Sequence, residues 1–292
     1  MQLCKRSGNI NAKEHRTIYV SEIDSNTNFK LIGRQAMWNG ERAKALTRDN
    51  LGGRKGMRPV EVSMNQRLLY DLIRAKRGRA VIMSNDAWGC YDRIAHIAIV
   101  LALRRLGIPR PPTLAMLETI QKMQHYICTA FGESTRSYGG DPSKPAPQGI
   151  LQGNGAGPAG WFAICSIMID CMKAEGYGYA DASTISQHAM NLVCFAFVDD
   201  TDLVHSTFDP SLTSAELFDE AQAALLTWES LLSATGGALK PSKSYCYYLY
   251  YSCVRGVWKP KQVQDAPGEL ILHNKGTPYT IQRLEVHEAR EA

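Results

Sequence analysis

Of 292 residues, 45% are apolar, enough to bury a core, so global disorder is excluded and the length allows one large or two ordinary domains. A net charge of +5 leans only mildly toward polyanionic partners. No run approaches the roughly 18 uninterrupted apolar residues of a membrane helix, and Lys5 and Arg6 open a polar start without a secretion-type apolar core, so the chain reads as intracellular and not membrane-bound.

In chain order, 1–26 is polar and weakly patterned and reads as the edge of something longer; no element is assigned to it. The spacing predicts a helix over 31–46, a glycine-broken loop over 50–58, and a helix over 62–76 with Met64, Leu68, Leu69, Leu72 and Ile73 as its apolar stripe. Basic residues crowd this stretch: Arg54, Lys55, Arg58, Arg67, Arg74, Lys76, Arg77 and Arg79 stand against Glu61 and Asp71. A short apolar strand from Ala80 then runs into Asp86. Helices are predicted over 94–106, ended by Gly107 and Pro109, and over 113–126. A Gly-rich loop, 147–158, leads into a long helix with Trp161, Ile164, Cys165, Met168, Ile169 and Met172 on one broad face. Leu192 to Val198 is β-type, and Thr213 with Glu216 forms a capping box that opens a helix carrying Leu217, Ala221, Leu225, Trp228 and Leu232. Short strands are expected within 268–272 and 276–284, and 285–292 reads as the start of a charged helix. Helices alternating with strands predict an α/β (α+β) fold with an antiparallel centre. The eight cysteines form no Cys-x-x-Cys pair and read as reduced core residues.

The chemistry concentrates in acids at strand ends. Asp199 and Asp200 interrupt an apolar segment that resumes at Leu203 and Val204, which places them at the tip of a tight hairpin. Carboxylates crowded without Lys or Arg in the same segment repel each other unless a cation sits between them, and oxygen-only ligands suit Mg²⁺. Asp86 is the candidate third carboxylate. Asp92, six residues further on at an expected helix start, reads as structural, satisfying free N–H groups there.

The order of these segments is the specific signal. Asp86 followed by Tyr91, then Gln152-Gly153 with Gly157-Pro158, then Val198-Asp199-Asp200, then Gly236-Gly237 with Lys240-Pro241-Ser242-Lys243 resembles motifs A, B, C and D of reverse transcriptases, above all those of eukaryotic retrotransposon-type elements. The resemblance spans roughly 28–252. It implies a polymerase palm with a central antiparallel sheet packed on helices, partial fingers, and a thumb that is absent or incomplete. The corresponding segments are a polar start (1–26), partial fingers (27–79), palm (80–252) and an extension with primer-grip-like strands (253–292). The implied activity is RNA-directed DNA polymerisation on two Mg²⁺ ions, with Mn²⁺ as a substitute, held by Asp86 and Asp199 with Asp200 adjacent. Tyr91 stands at the position of the steric gate that rejects a 2′-hydroxyl. Of two registers for the Gln-Gly pair, Gln148 or Gln152, only Gln152 stands six residues before Pro158 as the family spacing requires. Lys243 is implied as the group that protonates the pyrophosphate or steadies its charge, and Arg54, Lys55 and Arg58 as a basic loop for triphosphate or template phosphates. Partners would be an RNA or DNA template with its primer and deoxynucleoside triphosphates. The alternatives are a non-catalytic nucleic-acid-binding remnant that keeps the palm fold, and an RNA-dependent RNA polymerase palm.

Overall fold

The computed structural model describes residues 2–4, 15–141, 143, 148–183, 185–274 and 276–286. Two short strands, β1 (Gln2–Cys4) and β2 (His15–Thr17), precede helices α1 (Ile23–Arg42) and α2 (Pro59–Ala75). Strand β3 (Arg79–Asp86) is followed by α3 (Cys90–Arg93), α4 (His96–Arg105), α5 (Arg110–Lys122) and the hairpin β4 (His125–Thr129) and β5 (Gly132–Tyr138). Helix α6 (Gly157–Ala174) leads to β6 (Tyr179–Ala182), β7 (Ala189–Leu192), β8 (Cys194–Phe197) and β9 (Asp200–Thr207). The chain continues through α7 (Ser214–Ala234), β10 (Tyr245–Val254), β11 (Val257–Pro260), β12 (Ile271–Asn274), β13 (Thr277–Thr280) and β14 (Gln282–Arg283). These elements pack as two compact units, Met1–Leu46 with Gly89–Ile164, and Thr47–Trp88 with Cys165–Ala292. Among the described residues no helix is long and apolar enough to cross a membrane.

The second unit is a mixed α/β layer structure around an antiparallel sheet of order β11-β10-β3-β9-β8, to which β14 adds in parallel alongside β10. Strand β3 lies at the centre because both its faces are apolar. Side chains alternate across a strand, so Ala80 and Ile82 join Leu69, Tyr70 and Ile73 of α2 together with Phe195, Val204, Tyr247 and Leu249 in one core. The other face carries Val81, Met83 and Tyr248 and is covered by α7, whose Phe218 meets the Tyr248 ring edge-on. The capping box of α7 forms as the sequence predicts, Thr213 Oγ1 accepting from the Glu216 N–H at 3.2 Å.

In the first unit, α1, α4 and α5 bury Phe29, Ala36, Ile99, Leu103, Met116 and Ile120. Several boundaries differ from the sequence reading, each for a local reason. Helix α1 starts at Ile23 and not at residue 31, because its buried stripe is Phe29 followed by Gly33, Ala36 and Gly40, small residues that hydropathy does not flag. The segment 94–106 is broken at extended Ile94 and Ala95 between α3 and α4. Helix α5 begins earlier, with Pro111 in its first turn where no N–H is missed, and stops at Lys122 because His125 onward pairs as β4. Residues 1–26 are not featureless, since β1 pairs with β2 and α1 begins before Asn26. Cys90, Cys165, Cys194 and Cys246 are buried as expected, whereas Cys128 and Cys253 are exposed on hairpin strands. Of the charged run 285–292, residues 287–292 lie outside the described residues.

Candidate active site

The two acids sit on a hairpin with a two-residue turn, Val198 and Asp199, so Asp199 occupies the turn and Asp200 opens β9 opposite Phe197. Val198 has φ +61°, a left-handed conformation that costs a β-branched residue about 1–2 kcal/mol. Something must hold it, and the segment Asp49–Gly52 does. Asn50 bridges Ala196 in parallel, the Leu51 N–H donates to the Ala196 carbonyl at 3.0 Å, and Ala196 donates back to Asp49 at 3.0 Å. Gly52 backs so closely onto Val198 that any Cβ would collide with the Val198 backbone nitrogen. Asp49 anchors this strap: its buried carboxylate accepts from the Val193 N–H at 2.7 Å and pairs with Lys173 Nζ at 2.6 Å. Nothing in the local pattern marks Asp49 or Asn50; the one signal is two polar residues at the rim of a loop that reads as solvent-exposed.

The register of β3 against β9 sets Asp86 directly opposite Asp200 and Ser84 opposite Asp202. With a side-chain period of two, all four share one face of the sheet, the face that α2 covers further along. Partial burial, then the charges of Asp199, Asp86 and Asp202, hold the Asp200 carboxyl above the usual range, with Lys243 acting in the opposite sense. Asp202, a functional candidate that no motif marks although it stands two residues from Asp200, is also raised by burial, against hydrogen bonds from Ser84 and from Gln66 of α2. Lys243, carried on the short turn Pro241–Lys243, places Nζ 3.1 Å from Asp86 Oδ2, while the Lys240 N–H donates to the Asp86 carbonyl at 2.8 Å. Oxygen-only donors of like charge gathered on one face fit a hard divalent cation. Among the described residues, however, no three His, Cys, Asp or Glu side chains stand close enough together to hold a metal ion. The register pairs two carboxylates, and Lys243 supplies the cation that Asp86 contacts.

The basic loop of the same unit is partly spent on itself. Arg54 Nη1 donates to the Thr47 carbonyl at 3.3 Å, and Arg58 pairs with Glu61 at 3.3 Å in the first turn of α2. Lys55 is exposed.

In the first unit, Tyr91, Gln152 and Gly153 come together around the Gly-rich loop. The Ile150 N–H donates to the Tyr91 carbonyl at 2.8 Å, and the Tyr91 ring packs beside Gly157. The Gln152 N–H donates to Asp92 Oδ1 at 3.1 Å, and the Tyr19 N–H donates to the Gln152 carbonyl at 2.8 Å. Gly153, at φ +115°, leaves no room for a Cβ against the Tyr19 carbonyl. Asn26 Oδ1 takes the Gly155 N–H at 2.8 Å, and His96 Nε2 lies 2.8 Å from the Gly149 carbonyl. Asp92 is therefore structural, but it acts by tying down this loop and not by capping its own helix; burial holds its carboxyl above the usual range.

Neither a family model nor a curated protein matches the chain. Among solved structures it is similar to telomerase from Candida albicans in complex with a fragment of telomeric RNA, at 13% identity and TM-score 0.44, over 77% of this chain and 34% of that one. Apo telomerase from Candida tropicalis truncated from its C-terminal domain is similar at 12% identity and TM-score 0.48, over 77% and 40%. The RNA-dependent RNA polymerase of a human picobirnavirus is similar at 13% identity and TM-score 0.42, over 82% and 40%. The chain thus spans between 34% and 40% of the length of these solved chains.

Proposed function

We propose that this chain is the palm, with partial fingers, of an RNA-directed DNA polymerase of a eukaryotic retrotransposon-type element. The observation that carries the reading is the cross-strand register setting Asp86 opposite Asp200 beside the strained turn at Val198 and Asp199, in a chain whose four motifs keep the polymerase order. By the motif resemblance, and although the described residues do not gather the three into one metal group, Asp86, Asp199 and Asp200 would hold two Mg²⁺ ions, or Mn²⁺ in their place, which when bound would supply charge for the attacking 3′-hydroxyl and the leaving pyrophosphate. The chain's own residues do the rest. Lys243 holds a proton on Nζ beside Asp86 and donates it to the leaving pyrophosphate oxygen. With 60% of its side chain exposed, its ion pair with Asp86 contributes at most about 1 kcal/mol, so the ammonium is released readily. Lys55, with Arg54 and Arg58 once they leave their internal partners, binds phosphates. The Tyr91 ring excludes a 2′-hydroxyl, and Gln152 with Gly153 contacts the incoming nucleotide and the template base.

A second reading, a nucleic-acid-binding remnant without catalysis, is favoured by one observation: no three-acid metal group is assembled among the described residues. Single-nucleotide addition to a primer–template with Mg²⁺ or Mn²⁺ decides between them. The polymerase reading expects addition by the wild type, its loss in Asp86→Asn and Asp200→Asn with template affinity retained, and greater ribonucleotide use by Tyr91→Val. A wild-type chain that binds template but adds nothing with either ion leaves the remnant.

A further inference from the structure

The first unit carries a cavity of about 520 Å³ that the proposed chemistry leaves unused. Tyr19, Tyr126, Tyr138 and His125 line it, with Gln124 and Glu133 at its polar margin. The rings are arranged as a wall: Tyr19 meets His125 edge-on at 5.2 Å and 76°, and His125 lies 5.2 Å from Tyr138 with the planes only 31° apart. Tyr126 and Tyr138 are 48% and 43% exposed, a large aromatic surface left open on a two-stranded hairpin. His125 Nε2 is sealed from solvent and makes no hydrogen bond, although nearly all such buried atoms do.

We infer that this cavity takes a single unpaired nucleobase of a nucleic-acid strand, stacked on the His125 and Tyr138 rings. Its size and lining, mostly aromatic with a few polar groups, suit a small planar ligand. A base offers a π-face to the rings and hydrogen-bonding edges to Gln124 and Glu133, whereas an aromatic side chain of a peptide would satisfy only the rings. Burial holds His125 below its ordinary value, which favours the uncharged ring as a stacking surface. Arg136, two residues before Tyr138 on β5 and exposed, supplies a cation for the adjoining phosphate. The cavity is also wired to the loop: Tyr19 lines it and hydrogen-bonds the Gln152 carbonyl, and the Tyr19 carbonyl backs onto Gly153. That the occupant belongs to a nucleic acid rests on the proposed function.

The test uses the full chain and a single-stranded oligonucleotide carrying one 2-aminopurine, without divalent ions or nucleotides. Stacking on aromatic rings is expected to quench the probe on binding. Tyr138→Leu and His125→Leu should each lose most of the quenching and weaken binding by about tenfold, with an unchanged salt slope, since they remove a stacking surface and no charge. Thermal melts of both variants establish folding, and either one folded suffices. Binding without quenching, or quenching that the folded variants retain, overturns the base pocket. A chain that quenches in this way but adds no nucleotide with Mg²⁺ keeps the pocket and loses the catalytic reading; one that adds nucleotide without quenching does the reverse.

Discussion

Asp92 spends one carboxylate oxygen on the Gln152 N–H, and burial raises its proton affinity more than that bond lowers it. Its folded-state pKa therefore lies above the unfolded value, so the folded chain binds the extra proton just above the ordinary carboxylate range. Stability from this group falls as pH rises through that window. Asp92→Asn keeps a carbonyl acceptor for Gln152 and removes the titration. Its melting temperature is expected to equal or exceed that of the wild type near pH 7, with the difference shrinking as pH falls through that window toward the ordinary carboxylate value. A difference independent of pH in a melting series would reject this account. Asp92 also marks what was legible at this scale. Acids with the right neighbours, Asp86, Asp199 and Asp200, stood out because carboxylates interrupting apolar strands are costly without a cause. Asp92, Tyr19 and Asn26 did not, because a residue that acts on backbone groups tens of positions away leaves no local pattern.

At the scale of elements, the strap Asp49–Gly52 replaces what the sequence presents as a plain glycine-broken loop. The regular pieces around it were legible: periodicity marked α2 and α7, and the apolar run marked β3. The strap was not, since its pairing partner Ala196 is far along the chain and its anchor is a buried ion pair, Asp49 with Lys173, that no spacing rule connects. The hairpin β4–β5 shows no clear alternation of its own, and its first two residues fall at the end of the helical pattern over 113–126. The Asp49 carboxylate is only 2% exposed, so Asp49→Ala strips Lys173 and the Val193 N–H of their acceptor and should cost about 3 kcal/mol or more. Chemical denaturation measures that loss. A change under about 1 kcal/mol would mean that the hairpin supports its strained turn without the strap.

For the whole molecule, a net charge of +5 is too small to dominate, and nucleic-acid affinity is set by where the cations lie. Arg54 and Arg58 are already engaged by Thr47 and Glu61, so they gain less from phosphates than free cations would. Changing Arg54, Lys55 and Arg58 together to Ala is expected to lower the slope of log affinity against log salt by about one to two, and to weaken all template sequences alike. Filter binding across a salt series reads both quantities. An unchanged slope, or a loss confined to particular sequences, would remove the loop from the phosphate-binding surface.

The central place of β3 also fixes an order of events during synthesis. Both of its neighbours, β9 and β10, begin at residues 200 and 245, long after β3 itself ends at residue 86. At about 5–20 residues per second, the apolar core strand waits roughly 6 to 23 s for its first partner. During that interval its two edges offer unpaired backbone to any other extended chain. The ribosome thus delivers the strand that bears Asp86 well before the strands that cover its edges, which makes the nascent chain a natural client for a chaperone that shields hydrophobic segments.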